Sequence, residues 1–134
     1  MIDHLTIRCI DIEASVAFYK AALAPLGYEI LRSFDFPGYG KVFGLGAGGK
    51  PDLWLAEASA EHITPKGQHV AFRAETRALV DAFHAAALAA GATDDGKPGP
   101  RADYHPNYYG AFVIDLNGLH LEACKHAPEQ SPAD

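Results

Sequence analysis

The sequence is poor in the features that mark secreted, membrane-bound or nucleic-acid-binding proteins. It has only two cysteines, without the C-x-x-C spacing of a metal or redox motif, so we expect neither a disulfide nor a thiolate zinc site. Its 11 Lys and Arg against 17 Asp and Glu argue against nucleic acid or an anionic membrane as partner. No apolar run approaches the roughly 20 residues of a membrane span and no signal-peptide pattern opens the chain, so we expect a cytoplasmic protein.

An internal repeat organises the chain, whose 134 residues fit one domain. Residues 4–25, HLTIRCIDIEASVAFYKAALAP, align without a gap with residues 69–90, HVAFRAETRALVDAFHAAALAA. The alignment pairs His4 with His69 at an offset of 65 residues. Because repeats set the architecture of a chain, we predict a single domain of two similar modules, at about residues 2–58 and 67–125.

The first module is predicted to be a strand, a helix and three more strands. Residues 2–10 alternate in polarity, which is typical of a strand. Asp11 is placed to cap the following helix and Gly27 to end it. The three further strands are predicted at residues 28–35, 39–45 and 51–57, between turn-forming glycines and prolines.

The second module begins in the same way and then departs from the first. We predict a strand at 68–74, a helix from its cap at Thr76 to residue 90, a short strand at 92–95, a loop at 96–110, and strands at 111–116 and 119–125. Asn117-Gly118 favours a type I′ hairpin turn between the last two strands. The tail, residues 126–134, is predicted to be disordered. The fold class is therefore α+β, two βαβββ modules pairing into an open curved sheet around a central cavity.

Histidines and a carboxylate point to a metal site. Alternation places His4, Thr6 and Arg8 on one face of the first strand. If the two modules pair, His4, His69 and Glu122 converge on a shared concave face. This donor set suits Fe, Mn, Ni, Co or Zn and leaves positions open for a substrate. The alternative is that duplication alone explains the matching histidines, since a single strand histidine is more often structural.

Other polar residues share this predicted face. The repeat makes Glu57 the counterpart of Glu122, so Glu57 is a candidate fourth ligand of the metal. Strand alternation instead turns Trp54 toward the site, where it would contact substrate. Arg8 and Arg73 lie on the side of the histidines and would hold an anionic substrate group, or balance the carboxylates.

The long loop supplies candidate catalytic residues. Tyr104 and His105 are placed to close over the site as proton donors. Tyr108 and Tyr109 either line the site or pack the loop onto the sheet. We give the first role to Tyr108, as a substrate-binding residue.

The chain resembles the vicinal oxygen chelate superfamily, which includes glyoxalase I, bleomycin-resistance proteins, fosfomycin-resistance thiol transferases and extradiol dioxygenases. The resemblance covers residues 2–125 and rests on MIDHLTIRCIDIEASVAFYKAALAPLGYE, GQHVAFRAETRALVDAFHAAALAAGA and YYGAFVIDLNGLHLEA. The last segment is similar to the family's D-P-D-G turn before a glutamate-bearing strand, with Leu116 and Asn117 replacing Pro and Asp. YHPNYY, at residues 104–109, resembles the mark of a small single-domain subgroup.

The resemblance implies paired βαβββ modules with metal ligands at His4, His69 and Glu122. Glyoxalase I has a further glutamate in its fourth strand, where this chain has Trp54, with Glu57 three residues later. That departure separates the chain from true glyoxalase I. The resemblance also implies a homodimer, in some members with ligands from both chains.

Three functions fit this resemblance, each with a small-molecule substrate. The first is a glyoxalase-like lyase or isomerase, similar to lactoylglutathione lyase, whose divalent metal chelates adjacent substrate oxygens and stabilises an enolate-type intermediate, with Glu122 or Glu57 as base. The second is an Fe(II) extradiol-type dioxygenase, which His105 would assist. The third is a non-catalytic binding protein of the bleomycin-resistance type. Metal content separates the first two from the third.

Overall fold

Two βαβββ modules follow one another in the computed structural model, which describes residues 1–129. The first consists of β1 (Leu5–Cys9), α1 (Ile12–Leu23), a 3₁₀ helix (Ala24–Leu26), β2 (Glu29–Phe36), β3 (Gly40–Gly46) and β4 (Leu53–Glu57). The second consists of β5 (His69–Arg73), α2 (Arg77–Ala89), β6 (Thr93–Pro100), β7 (Tyr109–Ile114) and β8 (His120–Lys125). The predicted α+β class and its two modules are confirmed.

Local sequence signals explain where the helices begin and end. The Asp11 side chain accepts a hydrogen bond from Ala14 N at 3.0 Å before α1, and Thr76 caps α2 through Leu79 N at 3.2 Å. Gly27 follows the 3₁₀ helix with a φ of 83°, which glycine adopts without steric cost. Over residues 1–129, no helix has the length and apolar character that a membrane crossing requires.

Each module forms its own four-stranded sheet. The strand orders are β1-β4-β3-β2 and β5-β8-β7-β6, with the first and last strands of each module parallel and the other neighbours antiparallel. In the described part of the chain, no hydrogen-bonded ladder joins the two sheets. Both sheets therefore remain open.

The loop in the second module is shorter than predicted. β6 continues through Gly96 to Pro100 and pairs with β7, so only residues 101–108 remain as loop. Its prolines, at 98 and 100, are compatible with a strand because β6 is the outermost strand of its sheet. The glycines and prolines that indicated a loop instead accompany register shifts in this ladder.

The hairpin between β7 and β8 is confirmed, but its predicted type I′ turn is wrong. A type I′ turn needs positive φ at both central residues, and among the described residues only glycines, Gly118 included, have positive φ. The Asp115 carboxylate accepts hydrogen bonds from Asn117 N and Leu119 N, both at 2.8 Å. Side-chain capping therefore sets this turn. In the predicted disordered tail, the described part beyond β8 has no regular structure, and residues 130–134 lie outside the described residues.

A single core joins the two modules. α1 packs against α2, and both helices pack with the inner faces of the two sheets. In β1 and β4, Ile7, Leu53 and Leu55 belong to this core. Alternate residues such as Thr6 and Trp54 point to the opposite side of the sheet, which we call its outer face.

A buried polar network also ties the modules together. Tyr19 Oη, on α1, donates to Asp115 Oδ2 of the second module at 2.5 Å. Asn117 donates to Ser15 Oγ at 3.1 Å and accepts from Ile10 N at 3.0 Å. Burial, then the charge of Asp115, raises the pKa of Tyr19 well above its usual value, so this phenol stays a donor. The network fixes the start of α1 against the β7–β8 turn.

We expect Asp115→Ala to lower the free energy of unfolding by about 2–4 kcal/mol, because it leaves several buried donors without an acceptor. Urea denaturation measures the change. Tyr19→Phe, which removes one donor, should cost about 1 kcal/mol. Asp103→Ala, at an exposed loop position, is the control and should be near neutral. A loss below about 1 kcal/mol for Asp115→Ala would contradict the bridging role of this carboxylate.

Candidate functional site

The outer face of the second module gathers the polar residues that the repeat singled out. The parallel register of β5 and β8 pairs His69 with His120 and Ala71 with Glu122. Because alternate residues of a strand share a face, His69 and Glu122 point to the same side. They are brought together as predicted, on the side of the sheet away from the helices.

Glu122 is a buried carboxylate, only 4% exposed, although it lies on an outer face. One of its oxygens is 2.8 Å from Nε2 of His69, and the other accepts a hydrogen bond from Tyr108 Oη. A Cβ atom at residue 110 would lie 3.2 Å from the carboxylate, so Gly110 permits this close arrangement. Among residues 1–129, no lysine or arginine lies within 4.0 Å of Glu122. Its neighbours in the described structure are therefore an imidazole and a phenol.

Tyr108 reaches this carboxylate from the loop at residues 101–108. Burial, followed by the hydrogen bond to Glu122, raises the pKa of Tyr108 well above its usual value. The phenol therefore keeps its proton and acts as a hydrogen-bond donor. This places Tyr108 at the site, and its neighbour Tyr109 instead bonds Asp81 on α2 at 2.8 Å.

The other loop candidates surround Tyr108 rather than Glu122. His105 Nε2 is 2.9 Å from His126 Nδ1, and His105 Nδ1 accepts from Asn107 N at 3.1 Å. Tyr104 is 61% exposed and stands edge-on to the Tyr108 ring. Both ring nitrogens of His105 thus have partners already, and the catalytic roles of His105 and Tyr104 stay predictions.

His4 does not join His69 and Glu122 within one chain. It is exposed, and its Nδ1 is 2.7 Å from the neighbouring Asp3. His4 lines a cavity of about 310 Å³, and His69 lines a different one of about 620 Å³. In the described residues, no group of three His, Cys, Asp or Glu side chains is arranged to hold a metal ion. The structure therefore does not bring the three residues together within one chain, and their shared role as metal ligands stays a prediction.

The structure separates Trp54 from Glu57, as strand alternation predicted. Trp54 pairs with Thr6 on the outer face of the first module. Glu57 pairs with Cys9, which belongs to the core, and its Oε2 accepts from Lys41 N at 3.0 Å. Glu57 therefore caps a strand backbone, away from the outer face.

The two arginines of the repeat occupy different environments. Arg8 donates to Tyr39 Oη at 2.5 Å and to Glu57 O at 3.3 Å on the first module. Arg73 is exposed in β5, where it pairs with Cys124. Neither forms a salt bridge with Glu122. Their role in substrate binding stays a prediction.

The donor chemistry of the second module fits part of a divalent-metal site. Glu122 is a buried carboxylate with an imidazole as its salt-bridge partner and no lysine or arginine within 4.0 Å in residues 1–129, and a metal ion would also offset the cost of burying its charge. An imidazole and a carboxylate supply two of the three predicted donors. Within one chain the third donor, His4, lies elsewhere, so the fit is incomplete without a second source.

Sequence reasoning missed two groups of residues on these faces. Phe34 and Phe36 expose their rings on the first module, beside Trp54. The alternation in Phe34-Asp35-Phe36 is a sequence signal that indicates a shared face. His126 had no predicted role, although it contacts His105 in the loop at residues 101–108. No sequence pattern would show that the chain after β8 meets this loop.

Comparison with solved structures agrees with the fold. A glyoxalase/bleomycin resistance protein from Albidiferax ferrireducens T118 is 25% identical, with a TM-score of 0.74 over 93% of this chain and 97% of its own. The trypanothione-dependent glyoxalase I of Leishmania major is 25% identical, with a TM-score of 0.63 over 94% and 86%. A glyoxalase I variant from Zea mays shares the fold at 23% identity and a TM-score of 0.66, over 90% of this chain and 45% of its own.

The sequence itself carries the same assignment. None of the curated proteins compared with it matches. The sequence profile of one family, however, matches residues 1–122, nearly the whole of both modules. With the two βαβββ modules observed, the chain belongs to the Glyoxalase/Bleomycin resistance protein/Dioxygenase superfamily.

Proposed function

We propose that the protein is a glyoxalase-like metalloenzyme of the lyase or isomerase type. Its divalent ion would be held by His69 and Glu122 of one chain and by His4 of a second copy. The observation that carries the proposal is Glu122, a carboxylate 4% exposed, which faces His69 without a lysine or arginine within salt-bridge distance in the described residues. A buried negative charge of this kind favours a cation.

The arrangement of the modules supports a homodimer. The helices of one chain pack together, which leaves the outer faces of both sheets uncovered. Ile2 and Ile63 are 87% and 66% exposed, and both line the 620 Å³ cavity between β1 and β5 beside His69. Exposed apolar residues at such a position favour a protein interface. A second copy placed there would bring its own His4 toward the His69–Glu122 pair.

Residues of the chain itself would then assist a small substrate. A divalent ion supplies Lewis-acid polarisation of adjacent substrate oxygens. Tyr108, whose raised pKa keeps it protonated, donates to Glu122 and orients this carboxylate. Arg73, on the same face, places a positive charge near the site for an anionic substrate.

A second candidate, the non-catalytic binding protein, is favoured by a different observation. Phe34 and Phe36 are 42% and 47% exposed, an aromatic surface suited to holding a ligand without chemistry. In the single chain, His4 is also hydrogen-bonded to Asp3.

The dioxygenase alternative would use the loop histidine His105, but both nitrogens of this ring already have partners.

We expect protein purified without a histidine tag to hold about one divalent ion per chain, measured by elemental analysis after incubation with Mn, Fe, Ni or Zn. His69→Ala and Glu122→Gln should lose this metal, because each removes a donor. His120→Ala is a matched control, since His120 pairs with His69 in the sheet but bonds Asp95 at 2.6 Å. Wild-type protein with less than about a tenth of an equivalent after every addition rules out the metalloenzyme.

We expect metal binding to be restored by mixing chains that carry different substitutions. A dimer of His4→Ala and His69→Ala chains has one intact site, so random mixing should recover about a quarter of the wild-type metal content. His69→Ala mixed with Glu122→Gln is the control, because both changes affect the same half of each site and no intact site forms. Failure of the first mixture to exceed the control shows that ligands are not shared between chains.

We expect Tyr108→Phe to weaken metal affinity about tenfold or more, because the ligand Glu122 loses the donor that orients it. Competition with a metal-binding dye measures the affinity. Tyr104→Phe is the matched control, since the Tyr104 hydroxyl has no partner within residues 1–129. Equal affinities in the two variants would remove Tyr108 from the site.

A further inference from the structure

The outer face of the first module has a continuous aromatic surface. The Trp54 and Phe34 rings lie 6.2 Å apart with planes within 21°, and the Phe34 and Phe36 rings lie 5.3 Å apart within 25°. We call these three residues the aromatic platform. The metalloenzyme mechanism proposed above does not use it.

The sheet beneath the platform is built to accommodate a flat indole. Gly44 pairs with Trp54 across β3 and β4. A Cβ atom at residue 44 would lie 2.8 Å from Cζ3 of Trp54, so the missing side chain at Gly44 makes room for the edge of the indole. The ring can therefore rest close to the backbone, with its plane near those of the phenylalanines.

Positive charge flanks the platform. Arg32 pairs with Gly44 and Arg8 pairs with Ala56, which places both arginines on the outer face. Asp35 and Glu57, the carboxylates at the same end of the sheet, lie on the side opposite the outer face. Asp35 pairs with Lys41, and Glu57 accepts a hydrogen bond from the Lys41 backbone N–H. The face thus combines flat apolar rings with two guanidinium groups.

We propose that the aromatic platform binds the planar aromatic group of an anionic substrate, whose carboxylate lies near Arg32, since Arg8 already donates to Tyr39 Oη and to Glu57 O. The three rings are stacked on one another, so a planar ring can extend the stack by offset stacking on a face that it leaves uncovered, which a saturated ring of equal size cannot match. Arginine favours carboxylates through its fixed donor geometry. This inference rests on the proposed function, since it names the class of substrate whose aromatic group the platform would hold, on the outer face of the module in which β1, with Thr6 and Arg8, follows His4.

Trp54 is the sole tryptophan, so its indole N–H gives a single signal in a ¹H–¹⁵N spectrum. The full-length protein is titrated with 2-naphthoate and with its saturated counterpart, decahydro-2-naphthoate. We expect naphthoate to shift the indole signal in a saturable way and to bind about three- to tenfold more tightly than the saturated acid. Equal affinities, or an indole signal that naphthoate does not move, overturn the proposal.

Two variants separate stacking from charge. Phe34→Leu keeps an apolar side chain but removes a ring, so it should weaken naphthoate about three- to tenfold and leave the saturated acid unchanged. Arg32→Gln should weaken both acids, whereas Lys97→Gln, an exposed change on β6, should weaken neither. If Phe34→Leu does not fold, the comparison of the two acids on wild-type protein still decides.

Failure of the platform proposal and failure of the metal-site proposal give different experimental results. His69→Ala, on the other module, should lose metal and still show the naphthoate-dependent shift. Naphthoate binding by a protein that takes up no metal would reject the metalloenzyme and support the platform. Metal uptake by a protein that binds both acids equally would support the metalloenzyme and reject the platform. If the indole signal shifts with protein concentration and not with naphthoate, a second copy of the chain covers the platform, and the inference is overturned.

Discussion

The buried carboxylate of Asp115 holds the two modules in their observed arrangement. It sits at the β7–β8 turn and accepts from the turn backbone and from Tyr19 of α1, so both modules depend on one group. The helices are thereby held against each other, and the inner faces of both sheets share one core. The outer faces must then point away from the helices, which is why the residues of the repeat are left at the surface of a single chain.

Asp115 and Glu122 are both buried carboxylates, and they differ in the hydrogen-bond donors that surround them. Asp115 has a full set of donors from its own chain, two backbone amides and a phenol. Glu122 has a phenol at one oxygen and an imidazole at the other. A carboxylate saturated by hydrogen bonds has little capacity for a further ligand. Glu122 has fewer hydrogen-bond donors than Asp115, and the imidazole of the neighbouring His69 is a side chain of the type that can bind metal.

Sequence reasoning succeeded where a local pattern determines the structure. Caps at Asp11 and Thr76, the repeat, and strand alternation predicted both helices, both modules and the separation of Trp54 from Glu57. It failed where distant parts of the chain compete. The first residues of the predicted loop, 96–100, extend a strand because β7 was available as a partner, and Asp115 replaced the expected turn geometry. No local pattern records how one module packs on another, so the sequence could not show that His4 lies apart from His69 and Glu122 within one chain.

The prolines of β6 have a consequence for how copies of the chain associate. Residues 98 and 100 lack a backbone N–H, and β6 forms the free margin of the second sheet. A strand from another molecule cannot extend the sheet there by a regular ladder, so edge-to-edge growth toward aggregates is disfavoured at this margin. The opposite margin of that sheet is β5, the strand of His69, which has no proline. The two margins of this sheet therefore differ, since β6 opposes extension by a further strand and β5 has no proline that would oppose it.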